Sequence, residues 1–357
     1  MGVLRCGAHR VEYRRRRPGA SLGGALVTVL KPVALREDRR PGLDLFVSHP
    51  DVIALATVLV AVVFFSITAP GFLSIDNFRS IVLSVAVVAC LALGENLVIL
   101  AGEIDVSVGS ILALAGFVAG PVALSTGSTW PTLAVGLGVG LLAGLVNGLL
   151  VSRTRVPSIV ATLGTLYAFQ GAALLWSGTR NVVSVPDSAD ILGAGRFLGI
   201  PMPVLVVLVA AVILAIVRRN TKWGRDLMAT GGNRRAAGIM GVPVTRELLV
   251  AFAVSGLLAG LGAVIYLGEL GGIQTSVVGT NLVLQVIAAC AIGGTDIRGG
   301  RGSDIAPLIG ALLIGVITDG IVILGVPGVW IPLAYGAFIL LAVARDRFRV
   351  QRWAGAR

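Results

Sequence analysis

The chain has 357 residues, of which 56% are hydrophobic and 13% charged, with a formal net charge of +11 and a mean hydropathy of +0.93. A soluble domain carries about twice that share of charge, so a water-soluble enzyme, a disordered chain and a collagen-like fibre are excluded. The class is an all-α polytopic membrane protein, and the 48 glycines suit helices that pack closely in lipid.

Residues 1–50 form a basic region of their own. Arg14–Arg17, then the apolar stretch Ala20–Leu30 ending at Lys31, mimic a leader but lack a small-residue cleavage pattern. They read as a cytoplasmic tail lying on anionic membrane lipid. From there, apolar runs of membrane-crossing length predict about ten spans: Val52–Thr68, Phe78–Leu100, Val106–Ser125, Trp130–Val151, Val156–Trp176, Phe197–Val217, Leu248–Leu267, Thr280–Gly293, Ile305–Leu324 and Pro327–Ala344. The transmembrane body is thus 51–345, with the inner loop 218–247 inside it, followed by a basic cytoplasmic tail at 346–357. With both termini inside, 26 of the 29 Lys and Arg residues fall on the inner side, and only Arg79, Arg180 and Arg196 fall outside. That is the positive-inside pattern. It places the charge in membrane-flanking loops, which removes nucleic-acid binding as its explanation.

Between the second and third spans the polar string Gly94-Glu95-Asn96, then Gly102 to Ser110, interrupts the apolar run. Backbone that leaves a helix at membrane depth needs internal partners or a lined cavity. Asp105 and Ser107 fit either a cap for the third span or a place on a solute path. Glu95 and Asn96 join them as path candidates. So does Gln285, in the short eighth span, since paired helix breaks point to a translocation site. No Lys or Arg lies in a span core, which favours a neutral solute or a cation over an anion. In the fourth span Gly136, Gly140, Gly144 and Gly148 form a smooth stripe for helix packing, echoed by Gly256 and Gly260 in the seventh. Asn147 beside it reads as an interhelical hydrogen bond.

The inner loop 218–247 predicts a short helix, Arg234–Met240, with Asn233 as N-cap, Gly241 as stop and Pro243 after it. A helix so short needs outside support, whether as a docking element or as a connector. No Cys/His cluster suggests a metal, and no motif suggests a cofactor. A phosphate-cradling loop ending in Gly-Lys is absent, since Lys31 and Lys222 follow Leu30 and Thr221. By that route the chain is expected not to be a nucleotide motor, and the dispersed membrane acids set it apart from an enzyme with clustered titratable groups, so it is expected not to be an enzyme.

Gly102-Glu103-Ile104-Asp105-Val106-Ser107-Val108-Gly109-Ser110 resembles the "G-x-IDLSVGS" signature of ribose-type sugar ABC importer permeases. Trp223-Gly224-Arg225, Ala229–Asn233 and Ala236-Ala237 through Gly241-Val242 resemble their "GR…A.GGN..AA...GI" loop. Asn147–Val151, Ala161–Thr165 and Ala288–Gly302 match as well, in the family's order. The resemblance implies a permease working as a pair with a second copy or paralogue, joined to a cytoplasmic ABC ATPase and fed by an extracytoplasmic sugar-binding protein. It implies ATPase docking at Gly224, Arg225, Gly231, Asn233, Ala236, Ala237 and Gly241, and a path at Asp105, Ser107 and Gly109. Ala236 and Ala237 are expected to form the flat contact surface. An ion-coupled secondary transporter is the nearest alternative, and a membrane-embedded glycosyltransferase a more distant one.

Overall fold

The computed structural model describes residues 50–154, 156–275 and 280–337. The basic tails read at residues 1–50 and 346–357 lie outside the described residues, save for Pro50 at the start of the first helix. The chain runs α1 (Pro50–Thr68), α2 (Ile75–Leu100), α3 (Val108–Thr126), α4 (Thr129–Arg153), α5 (Ser158–Ser177), β1 (Val182–Val183), α6 (Ile191–Ala194), β2 (Arg196–Phe197), β3 (Ile200–Pro201), α7 (Met202–Asn220), α8 (Lys222–Gly232), α9 (Arg234–Ile239), α10 (Val244–Glu269), β4 (Gly272–Ile273), α11 (Thr280–Gly293) and α12 (Ala306–Ile323). Strands β1 and β4 pair antiparallel, as do β2 and β3, in two minimal ribbons that tie down the connections at one end of the bundle.

Among the described residues eight helices are long and apolar enough to cross a membrane: α1 to α5, α7, α10 and α12. Helix α11 is a ninth apolar segment of 14 residues, as short as its sequence suggested. The expected stretch Pro327–Ala344 opens with a 3₁₀ turn at Gly328–Trp330 and then runs past the described residues.

Burial sorts the helices. In α2 and α10 the most apolar window is 78% and 72% buried, against 17% in α1 and α7. The first two are the core of the bundle, and the last two present their apolar surface outward, as lipid allows and water does not. The seam between α4 and α10 explains the glycine stripe. A Cβ added at Gly140 would sit 2.8 Å from the Gly260 Cα, one at Gly144 3.0 Å from the Gly256 Cα, and one at Gly148 3.0 Å from the Leu249 Cα. These backbones touch because nothing projects between them, the close approach that small residues permit where lipid supplies no hydrophobic drive.

Candidate functional site

Between α2 and α3 the backbone leaves the helix, yet from Gly102 to Ser107 each N–H has a partner. Gly102 and Glu103 donate to the carbonyls of Ile99 and Val98 at 2.8 and 3.1 Å. Ile104 donates to Ser158 Oγ at 3.2 Å, Asp105 to Glu95 Oε1 at 3.0 Å, Val106 to Thr162 Oγ1 at 3.1 Å and Ser107 to Asp105 Oδ1 at 2.8 Å. Side chains of α2 and α5 thus stand in for the missing helical acceptors, meeting the demand that a buried backbone be satisfied internally.

Asp105 is the hub of this break. Its Oδ1 also accepts from Ser107 Oγ at 2.6 Å, and both its oxygens lie within reach of Asn147 Nδ2, at 3.3 and 3.2 Å. Asn147 Nδ2 lies 2.6 Å from Ser107 Oγ as well. Glu95, Asp105, Ser107 and Asn147 are all fully buried. The carboxylate braces the turn ahead of α3 instead of capping the helix itself, whose N-cap residue Ser107 makes no side-chain capping bond. Glu95 Oε2 and Asn147 Oδ1 remain buried without a hydrogen-bond partner among the described residues. The interhelical bond expected of Asn147 is therefore present, and its partner is the site itself.

The other path candidates scatter. Asn96 turns to the α11–α12 connection, donating to the Ser303 carbonyl at 3.2 Å and accepting from Thr295 Oγ1 at 2.6 Å. Gly109 is buried in the first turn of α3. Gln285 stands apart, lining a separate cavity of about 250 Å³ with Tyr335 and Ile331.

The loop 218–247 folds into two helices where the sequence suggested one. Asn233 Oδ1 accepts from the Ala236 N–H at 3.0 Å and Gly241 takes φ +84°, so α9 starts and stops as its residues predict. Helix α8 was hidden by its three glycines. It starts at Thr221, whose Oγ1 accepts from the Gly224 N–H at 3.3 Å, and turns Trp223, Leu227 and Met228 inward while Lys222, Arg225, Ala229 and Gly232 face out. The expected docking residues divide accordingly. Arg225, Asn233, Ala236 and Gly241 are exposed, beside Ile239 and Met240 at 79% and 82%. Gly224 and Gly231 instead pack against the chain's own backbone, a Cβ at Gly231 lying 2.6 Å from the Gly300 nitrogen, and Ala237 is buried at 5% exposure. The surface expected of the pair Ala236 and Ala237 therefore belongs to Ala236 alone.

Ion pairs that the sequence did not reveal hold this end together. Arg234 Nη1 meets Glu103 Oε1 at 2.8 Å. Asp304 accepts from Arg218 Nη2 and Arg219 Nε, each at 2.6 Å, and also pairs with Arg218 Nε. Burial would raise the Asp304 carboxyl, but the two arginines outweigh it and hold it below its ordinary 3.8. A depressed carboxyl stabilises the fold fully above its unfolded pKa, and that contribution fades as pH falls through the lower folded value. Asp304→Asn should therefore cost about 2 kcal/mol at neutral pH. Thermal melts should show the gap closing only well below pH ~4. A gap unchanged in acid would mean that the carboxylate's charge does not matter there.

A family model described as the permease component of the branched-chain amino acid transport system matches residues 77–343. The L-arabinose ABC transporter permease protein of Azospirillum brasilense is 34% identical over 312 residues, 87% of this chain and 91% of that protein. The ribose import permease protein of Bacillus subtilis is 36% identical over 295 residues, 81% and 90% of the two chains. The autoinducer 2 import system permease protein of Escherichia coli is 35% identical over 296 residues, 81% and 86%. The chain belongs to this family of ABC importer permeases, and it is a multi-pass protein of the bacterial inner membrane.

Proposed function

We propose that this chain is the membrane subunit of a simple-sugar importer, conducting a pentose, a hexose or a related small sugar while a separate ABC ATPase supplies the energy. The observation that carries the reading is the similarity to permeases named for L-arabinose, ribose and autoinducer 2 over more than four-fifths of the chain. The family description names branched-chain amino acids, so the family alone does not choose the cargo. The absence of Lys and Arg from the span cores supports a neutral solute or a cation over an anion.

The ATPase seats on the exposed face of α8 and α9. A two-turn helix cannot persist alone, yet α9 is capped by Asn233 and stopped at Gly241, and presents Ile239 and Met240 to the basic side of the bundle. Exposed apolar side chains on a braced element outside the spans support contact with a protein. A binding protein delivers the sugar at the opposite end, near β1–β4 and β2–β3, and a second permease completes the pair. The chain itself binds no nucleotide.

The test is reconstitution in liposomes. Alone, the chain should neither hydrolyse ATP nor accumulate any of a panel of pentoses and hexoses. With its cognate ATPase and binding protein, ATP-driven uptake of one panel member should appear. Accumulation by the lone chain under a proton or sodium gradient would replace the ABC reading with the secondary transporter. For the docking face, the double substitution Ala236→Trp with Arg225→Glu should reduce ATPase co-purification at least tenfold at unchanged membrane abundance. Arg196→Ala, on the outer β2 strand, should not reduce it. Retention of the ATPase by the double variant would make α9 a connector.

A further inference from the structure

Three backbones meet at the inner end of the bundle with no side chain between them. The Gly300 N–H donates to the Leu100 carbonyl at 2.9 Å. A Cβ at Gly299 would lie 2.5 Å from the Gly102 Cα, one at Gly300 2.6 Å from the Gly232 Cα, and one at Gly102 3.3 Å from the Gly231 Cα. The end of α2, the end of α8 and the α11–α12 connection are thus in direct main-chain contact. Packed backbone has no slack, and a shift of α8 by more than a few tenths of an ångström either parts this junction or carries the α2–α3 break along. One side-chain bond spans the same gap. Arg234, the first residue of α9, holds Glu103, which lies two residues before Asp105 in the break.

We infer that the Glu103–Arg234 ion pair is the strut through which movement of the docking helices reaches the buried Glu95–Asp105–Asn147 cluster. The two residues therefore position the site without belonging to it. The inference rests on the proposed seating of an ATPase on α8 and α9. Geometry gives the pair this role and energetics leaves it little else to do. The Arg234 side chain is 48% exposed and that of Glu103 13%, and pairs with one such exposed partner add little to folding. Its value lies in direction. The bond runs between the element that an ATPase would move and the segment whose N–H groups hold the cluster, and it resists being pulled as well as pushed, which the van der Waals contact of the α8 glycines Gly231 and Gly232 does not.

The experiment uses the complete transporter in liposomes and reads sugar imported per ATP hydrolysed, with ATPase co-purification and thermal stability alongside. Glu103→Gln should keep ATPase association and melting behaviour while the ratio falls at least fivefold. Arg234→Gln should lower the ratio by a similar factor, and Arg234→Lys, which keeps the charge, should lower it less than twofold. The exchanged pair Glu103→Arg with Arg234→Glu should return to within twofold of the original ratio. A structural role would move melting with the ratio, and the exchange would not rescue it. The inference is overturned if Glu103→Gln transports at the original ratio, if the exchange fails to rescue, or if the ratio falls only as far as stability does. An original chain that does not retain its ATPase at all is a different outcome, which overturns the proposed seating of an ATPase on α8 and α9 and this strut with it.

Discussion

Asp105→Leu should remove most folded protein from the membrane, whereas Asp105→Asn should retain most of it. The carboxylate accepts from the Ser107 N–H, from Ser107 Oγ and from Asn147 Nδ2, all in a fully buried place. Leucine accepts nothing, so the buried Ser107 N–H is orphaned and the Asn147 amide keeps only Ser107 Oγ. A hydrogen bond between membrane helices is worth only about 0.6 kcal/mol on average, but an orphaned buried donor costs about 1–3 kcal/mol. With the Ser107 N–H stranded and the Asn147 amide left with Ser107 Oγ as its one acceptor, the loss is about 2–4 kcal/mol, a large share of a typical total stability of about 5–15 kcal/mol. Asparagine keeps one carbonyl acceptor for the Ser107 N–H and should cost about 1–2 kcal/mol. Membrane abundance and detergent melting of the two variants give the measurement, with uptake normalised to abundance. If both variants stay folded and lose uptake equally, the charge of Asp105 acts on the solute and bracing is secondary.

Such an outcome could be anticipated from the sequence only in part. The polar string from Gly102 to Ser110 marks the break, and the run of ribose-type motifs marks the same residues. What the string does not reveal is who satisfies it. Ser158 and Thr162, the acceptors for Ile104 and Val106, lie more than fifty residues downstream on α5, and Ser and Thr are too common in membrane helices to single out. Thr162 falls inside a matching motif, yet a motif assigns no partner. The same limit hides the pairing of Asp304 with Arg218 and Arg219, because ion pairs are set by tertiary approach and leave no periodic trace. Helix α8 shows the opposite problem. Gly224, Gly231 and Gly232 argue against a helix by propensity, but the first two are needed where backbone meets backbone, and that requirement appears only after folding. Where the signal was local, as for the Asn233 cap, the Gly241 stop and the short α11, residues and structure agree. For Ala237 the reading of a contact surface stopped at residue type, and burial assigned the neighbouring alanine instead.

The α4–α10 seam tests the same reasoning about glycine at larger scale, because α4 supplies its own control. Gly140→Leu should be among the most damaging single changes in the protein. Its Cβ alone would lie 2.8 Å from the Gly260 Cα and nitrogen, and those atoms are main chain that no rotamer can move aside. Leucine there must drive two of the longest helices apart, one of them the buried α10 that also touches α2 and α3. Overpacking of this kind costs about 3 kcal/mol or more, and Gly256→Leu across the seam should match it. Gly138, two residues away, has no atom within 4 Å of an added Cβ. Gly138→Ala should be tolerated and can gain up to about 1 kcal/mol from helix propensity. Propensity acts equally on any glycine in α4, so packing alone can separate residues 138 and 140. Melting temperatures of the purified variants in one detergent make the comparison. If leucine at 140 melts like the parent, the stripe is not a contact surface, and the close approach of α4 and α10 is not what orients Asn147 toward Asp105.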